Sequence, residues 1–372
     1  MYVYASNYIV SFTELELSYI KKFWKLNRIM SRFYEIEPIA ENYWRAIILF
    51  GRNSASYKFA LAKTLFDFHS SGKTQITLEE LAVPYATHLC EHLKKHPKQG
   101  TSEQSTFLDK LRAFNKGAVG KDEMISHTVR YGFVNVLDAF HNVHGKEIGV
   151  RFFIDERSKK NAIQLTDDFM LLGEQQQFAN FAQETESRWR LVESAWQNNL
   201  PRNLMLVEYE EESSLFMGVN AIRRTSVTPA RPALNGYQKG RCFYCFREIS
   251  VIFGNEKMAE VDHFFPHKLK QCDNRKPIDG IANLVLACQE CNRGENGKFD
   301  RLPSIEFLER LFNRNEYLIT SHHPLRETLI SQTGNTTEKR QAYLQEAYNC
   351  SIEHLAISGR KWRPKQQGMA IF

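Results

Sequence analysis

Four cysteines constrain this chain more than any other feature. Cys242 and Cys245 form one Cys-x-x-C pair, Cys288 and Cys291 form a second, and residues 246–287 lie between them. Each pair makes a turn tight enough to aim both sulfurs at one point, so two pairs specify a tetrahedral four-thiolate zinc site. A redox dithiol calls for one such pair beside a βαβ pattern, not two. Zinc with four protein ligands has no open position. It is expected to pin the ends of a small unit and leave the chemistry to what lies between.

Between the pairs, the short run Met258–Val261 reads as a strand and ends on Asp262-His263. Asn283 opens a second apolar run, Leu284–Ala287, and Asn292 follows the last cysteine, with Arg293-Gly294 next. A neutral imidazole with a pKa of about 6.5 suits general-base work, which makes His263 the candidate base. Asp262 and Asn292 offer hard oxygen donors of the kind magnesium and manganese take while retaining water. A phosphodiester needs both services: an activated water, and neutralisation of the charge that develops on phosphate.

These residues resemble the HNH nuclease family, whose ββα-metal fold holds one divalent ion between a strand pair and a helix. The matching positions are Asp262-His263 on the first strand, Pro266 three residues on, Asn283 before the second strand, and the run Cys291-Asn292-Arg293-Gly294. The step from Asn283 to Asn292 is similar to the HNH domain of RNA-guided CRISPR nucleases, which lack the knuckles. The knuckled form resembles McrA-type restriction and phage-defence enzymes, and the N-terminal half resembles the HNH component of Zorya systems. The resemblance implies that Asn283 steers the base, that Asp262 and Asn292 hold Mg2+ or Mn2+, and that the substrate is DNA, with RNA not excluded. Arg241, His267, Lys268, Arg293 and Lys298 are the candidate nucleic-acid contacts. One position departs from the family: Glu295 stands where a lysine often follows Asn-Arg-Gly, and Lys298 comes three residues later.

The chain of 372 residues allows two or three domains, and a net charge of +6 permits a polyanionic partner without demanding one. No apolar run approaches the length of a membrane span, and the start Met-Tyr-Val-Tyr lacks a secretory pattern. Cys90, Cys272 and Cys350 are scattered, which suits a reducing cytoplasm. There is no Gly-rich Walker loop and no Gly-x-Ser-x-Gly elbow, so ATPase and esterase readings have no footing.

Residues 1–200 read as a helical domain. Helices are expected over 12–34, with a basic face, and over 40–69, where apolar residues on all sides call for a central position and Gly51 allows close packing or marks a break. Arg45, Arg52, Lys58 and Lys63 are read as satisfied or solvated cations before nucleic-acid contacts. Thr77-Leu-Glu-Glu80 is a capping box that starts the next helix, with Pro84 near its first turn. His88, His92 and His96 share a face, expected to be solvated. Further helices are expected over 106–115, 121–143, 165–174 and 184–197, and strands over 149–155 and 204–209. Residues 201–234 read as a transition, with Asn235-Gly236 as a turn. Helices are expected again over 304–317, after Pro324 and over 336–349. The tail 359–365 serves equally as a backbone contact or a frayed end.

The expected architecture is mainly α with a small α+β unit: a helical N-terminal domain (1–200), a linker (201–234), a zinc-stapled ββα-metal core (235–303) and C-terminal helices with a basic tail (304–372). The expected function is a metal-dependent endonuclease with structural Zn2+ and catalytic Mg2+ or Mn2+, set in anti-phage defence. Other defence proteins, or a second copy held through the N-terminal domain, are the expected partners besides DNA. The alternative is a non-catalytic zinc-stabilised nucleic-acid-binding module or assembly scaffold.

Overall fold

A computed structural model describes residues 3–5, 8–10 and 38–372, except 51–54, 102–104, 144, 176, 198–206, 211–214, 220–223, 272–277, 321–324 and 356–360. The helix expected over 12–34, Gly51, Arg52, Cys272 and His322-His323 lie outside the described residues. The fold is mainly α with a small α+β unit. A hairpin of β1 (Val3–Ala5) and β2 (Tyr8–Val10) precedes two helices, α1 (Ala40–Phe50) and α2 (Tyr57–His69), in place of the single helix expected over 40–69.

Helix α1 is central because its apolar residues leave no face for water. Trp44 packs its ring 4.8 Å from Phe66, 5.1 Å from Phe152 and 5.8 Å from Phe140 and Phe169. Buried cations then serve this helix instead of facing a polyanion. Lys58 donates to Ile47 O at 2.9 Å and Arg188 to Leu49 O at 3.0 Å, capping carbonyls of the helix's last turn. Arg45 makes a forked pair with Glu184, and Lys63 pairs with Glu186 at 2.6 Å.

Strand β3 (Gln75–Thr77) leads into α3 (Leu78–Lys95) through the expected capping box, with Glu80 N donating to Thr77 Oγ1 and Thr77 N to Glu80 Oε2. Pro84 lies inside α3, deeper than its first turn. Helix α4 (Thr106–Asn115) falls where expected. Helix α5 (Lys121–Tyr131) stops at Gly132 instead of running to 143; the short helix α6 (Val136–Ala139) and a hairpin of β4 (Asn142–Val143) and β5 (Lys146–Glu147) follow. Next come β6 (Phe153–Asp155), α7 (Arg157–Lys160) and β7 (Ala162–Leu165), which pairs antiparallel with both β3 and β6. Helices α8 (Asp167–Gly173) and α9 (Phe178–Gln197) close this half, with Trp189 and Trp196 buried.

The transition is more ordered than its composition suggested. Strands β8 (Val207–Glu210), β9 (Leu215–Val219) and β10 (Arg224–Pro229) form an antiparallel sheet. Helix α10 (Ala230–Gln238) contains Asn235-Gly236, expected as a turn. Asn235 is buried, donating to Glu184 at 2.8 Å and accepting from Gly240 N at 3.0 Å. A Cβ on Gly236 would lie 2.9 Å from Leu49 Cδ1, so the glycine serves close helix packing.

The central unit consists of β11 (Glu260–His263) and β12 (Leu284–Ala287), paired antiparallel, and α11 (Gln289–Arg293). Helices α12 (Ile305–Thr320), α13 (Arg326–Thr333) and α14 (Thr337–His354) follow. Arg314 of α12 donates to Ile281 O at 3.0 Å and Leu284 O at 2.8 Å, binding that helix to the strand pair. Trp362 is buried and donates to Asn296 O at 2.7 Å, so this part of the tail is docked and not frayed.

Candidate active site and zinc centre

The two knuckles meet. The four Sγ atoms of Cys242, Cys245, Cys288 and Cys291 lie within 4.8 Å of one another, with Cys245 and Cys288 at 3.7 Å. Zn–S bonds of about 2.3 Å require tetrahedral S···S edges of roughly 3.8 Å, so the donor set fits zinc in size and chemistry. Burial pushes the Cys242 thiol up, whereas hydrogen bonds from the three neighbouring cysteines push Cys288 down. A bound cation resolves that conflict by favouring every thiolate. The first knuckle is closed by Phe246 N donating to Cys242 O, and Phe243 N bonds to Leu286 O of β12. In the second, Cys288 stands at the start of α11 and Cys291 lies within it.

Alternation along β11 sends Glu260 and Asp262 to one face and His263 to the other. Asp262 is buried. Tyr244, between the first two cysteines, donates its hydroxyl to Asp262 Oδ2 at 2.6 Å, and Lys298 Nζ lies 3.1 Å from Oδ1. Burial and the Asp262 charge hold the Tyr244 phenol well above its ordinary pKa, which keeps it a donor. On the other face, His263 Nε2 is 3.2 Å from Asp279 Oδ1, and His267 Nε2 is 3.5 Å from the same atom. Asn283, just before β12, is buried and spans the loop after His263: its Oδ1 accepts from Phe265 N at 2.7 Å, and its Nδ2 donates to Phe265 O and Ile278 O. Asn292 on α11 donates through Nδ2 to Glu260 Oε2 at 2.8 Å.

Residues 242–298 match the family model described as HNH endonuclease. The match runs from the first zinc cysteine to Lys298 and covers a minority of the chain. No curated protein and no solved structure matches.

The HNH segment distributes its cations unevenly. His267, Lys268 and Arg293 are exposed, Lys268 pairing with Asp300 and Arg293 with Glu260, both at 2.6 Å. Arg241 is half-buried, with its backbone bridged to Glu248. Lys298 departs from expectation. It is fully buried, and its ammonium is spent on Asp262, His263 O and Phe299 O, so it does not face a nucleic-acid surface. Tyr244, Asp279 and Glu260 were not foreseen. Glu260 was readable, standing two positions before Asp262 on the same strand face. Tyr244 carried a weak signal inside its knuckle, and Asp279 carried none, because only the folded loop brings it to His263.

The histidine face of α3 also differs from expectation. His92 is buried, with Nδ1 2.8 Å from Glu193 and Nε2 3.3 Å from Glu186, and its ring stacks on Trp189 at 3.5 Å. The carboxylates come from α9, about a hundred residues away in sequence, so the local spacing could not reveal them.

Proposed function

We propose that this chain is a metal-dependent HNH endonuclease that hydrolyses phosphodiester bonds of DNA. The observation that supports it best is that β11, which carries Asp262 and His263, is joined through the Asn292–Glu260 bond to α11, which carries Asn292 and Cys291 of the four-cysteine cluster. His263 is the general base, and Asp279 beside its ring stabilises the imidazolium that forms as it takes a proton. Asn283 fixes the loop that carries Asp279's neighbour Ile278 and so holds His263 and its partner in register. Asp262 and Asn292 provide the oxygen donors for Mg2+ or Mn2+. All the candidate donors are hard oxygens, which fits such an ion, and each carboxylate oxygen of Asp262 has a lone pair beyond the one its protein partner uses. The ion, when bound, supplies Lewis-acid stabilisation of the phosphate charge. Arg241, His267, Lys268 and Arg293 contact the phosphate backbone, the last two exchanging their carboxylate partners for it.

The finer setting rests on sequence resemblance: a cytoplasmic, McrA-like or Zorya-type role in anti-phage defence, with RNA as a second possible substrate and the N-terminal half recognising DNA, a partner or a second copy. Among the described residues no helix is long and apolar enough to cross a membrane. One observation favours a second reading, a zinc-stabilised nucleic-acid-binding module without catalysis: Lys298 already neutralises Asp262. A supercoiled plasmid incubated with Mg2+, Mn2+ or EDTA separates the two. Metal-dependent nicking or linearisation that is lost in His263→Ala is expected; binding without cleavage under every metal condition selects the second reading.

A further inference from the structure

Glu260 stands outside the motif residues, yet its carboxylate holds two consecutive residues of α11. Its Oε2 accepts from Asn292 Nδ2 at 2.8 Å, and its Oε1 lies 2.6 Å from the guanidinium of Arg293. A side-chain amide has one donor end and one acceptor end, whereas a carboxylate only accepts. With Glu260 on the nitrogen, Asn292 is fixed with Nδ2 inward, and among the described residues none donates to its Oδ1. An amide held the other way round would offer an ion its nitrogen, and an NH2 group cannot ligate a hard cation.

We propose that Glu260 is a positioning residue of the metal centre, orienting Asn292 so that its amide oxygen is the ligand atom. This rests on the assignment of Asp262 and Asn292 to a divalent ion. Glu260 and Asp262 share one face of β11, so a single strand supplies both a ligand and the group that sets the second ligand's orientation. Partners of this kind behind a metal ligand commonly govern affinity as strongly as some ligands do. Arg293 balances the second carboxylate oxygen.

The test uses the full-length, zinc-loaded His263→Ala protein titrated with Mn2+, free ion being read by electron paramagnetic resonance. Adding Glu260→Gln offers Asn292 an amide that can turn it around, and the Mn2+ dissociation constant should rise about 10- to 100-fold while zinc content and melting temperature hold. Adding Asn292→Asp to that variant replaces the amide with a group that needs no orientation, and affinity should return. Arg293→Gln, which breaks the ion pair but leaves the amide contact, should keep the affinity of the His263→Ala parent. Unchanged affinity in Glu260→Gln overturns the proposal. So does an equal loss in Arg293→Gln, which would make Glu260 a strand–helix staple, or failure of Asn292→Asp to restore binding, which would make Glu260 itself a ligand. If the His263→Ala parent takes up no Mn2+ at all, the metal centre fails first and the positioning role falls with it.

Discussion

Lys298 and Tyr244 hold Asp262 from opposite oxygens, and neither is a surface group. A buried carboxylate left without its cation carries an uncompensated charge. Lys298→Met should therefore cost about 3–5 kcal/mol of stability, measurable by urea unfolding with zinc present. If Lys298 were instead a solvated phosphate contact, the same change would weaken DNA binding and leave stability alone. His263 belongs to a different class. It ends β11, and the groups that hold the fold around it, the four cysteines and Asn283, do not depend on its ring. His263→Ala should retain DNA binding and zinc while single-turnover cleavage falls by about 10²- to 10⁴-fold, the usual contribution of a positioned base. Cleavage at the wild-type rate would remove His263 from the mechanism.

At the scale of elements, the zinc knuckles tie the turn that follows α10 to the start of α11, and the unit between them is small for a core of its own. Cys291→Ser should abolish zinc retention and unfold residues 242–298, since structural zinc contributes on the order of 10 kcal/mol of apparent folding free energy; metal analysis and thermal melting read both effects. These knuckles were legible because their ligands are local in sequence, as was the Thr77 capping box. Asn235-Gly236 misled for the opposite reason: a strong turn dipeptide was overruled by Glu184 and Leu49, residues from α9 and α1. The contact between α3 and α9 was equally hidden, and it has a pH signature. Burial acts against charge on His92, but hydrogen bonds to Glu186 and Glu193 outweigh it and raise its pKa. A raised folded-state pKa contributes stability that is complete below the unfolded value of about 6.5 and is lost as pH rises through the folded value. Unfolding free energy should fall over that window, and His92→Gln should flatten the slope.

At the scale of the whole molecule, the two halves meet through buried polar contacts that no local pattern announces. Glu184 of α9 receives Arg45 from α1 and Asn235 from α10, and Asn235 in turn accepts from Gly240 N, two residues before the first zinc cysteine. The N-terminal end of α9 adds a second clamp, Asn180 Oδ1 accepting from Ser250 Oγ at 3.2 Å and Val251 N at 3.1 Å. Sequence reading reached the fold class and the HNH segment because apolar periodicity and cysteine spacing are local signals. It stopped at this junction because charges such as Arg45 and Glu184 read as surface residues until their partners are known. Glu184→Ala leaves the buried Arg45 on its longer contact to Glu41, at 3.4 Å, and releases the Asn235 amide nitrogen, so it should cost about 3–5 kcal/mol. Its reach should extend across the junction: hydrogen exchange should quicken at residues 240–251 of the zinc unit as well as along α1. If the loss is confined to residues 40–197 and exchange at 240–251 is unchanged, the halves are stable independently and the network is only a contact between them.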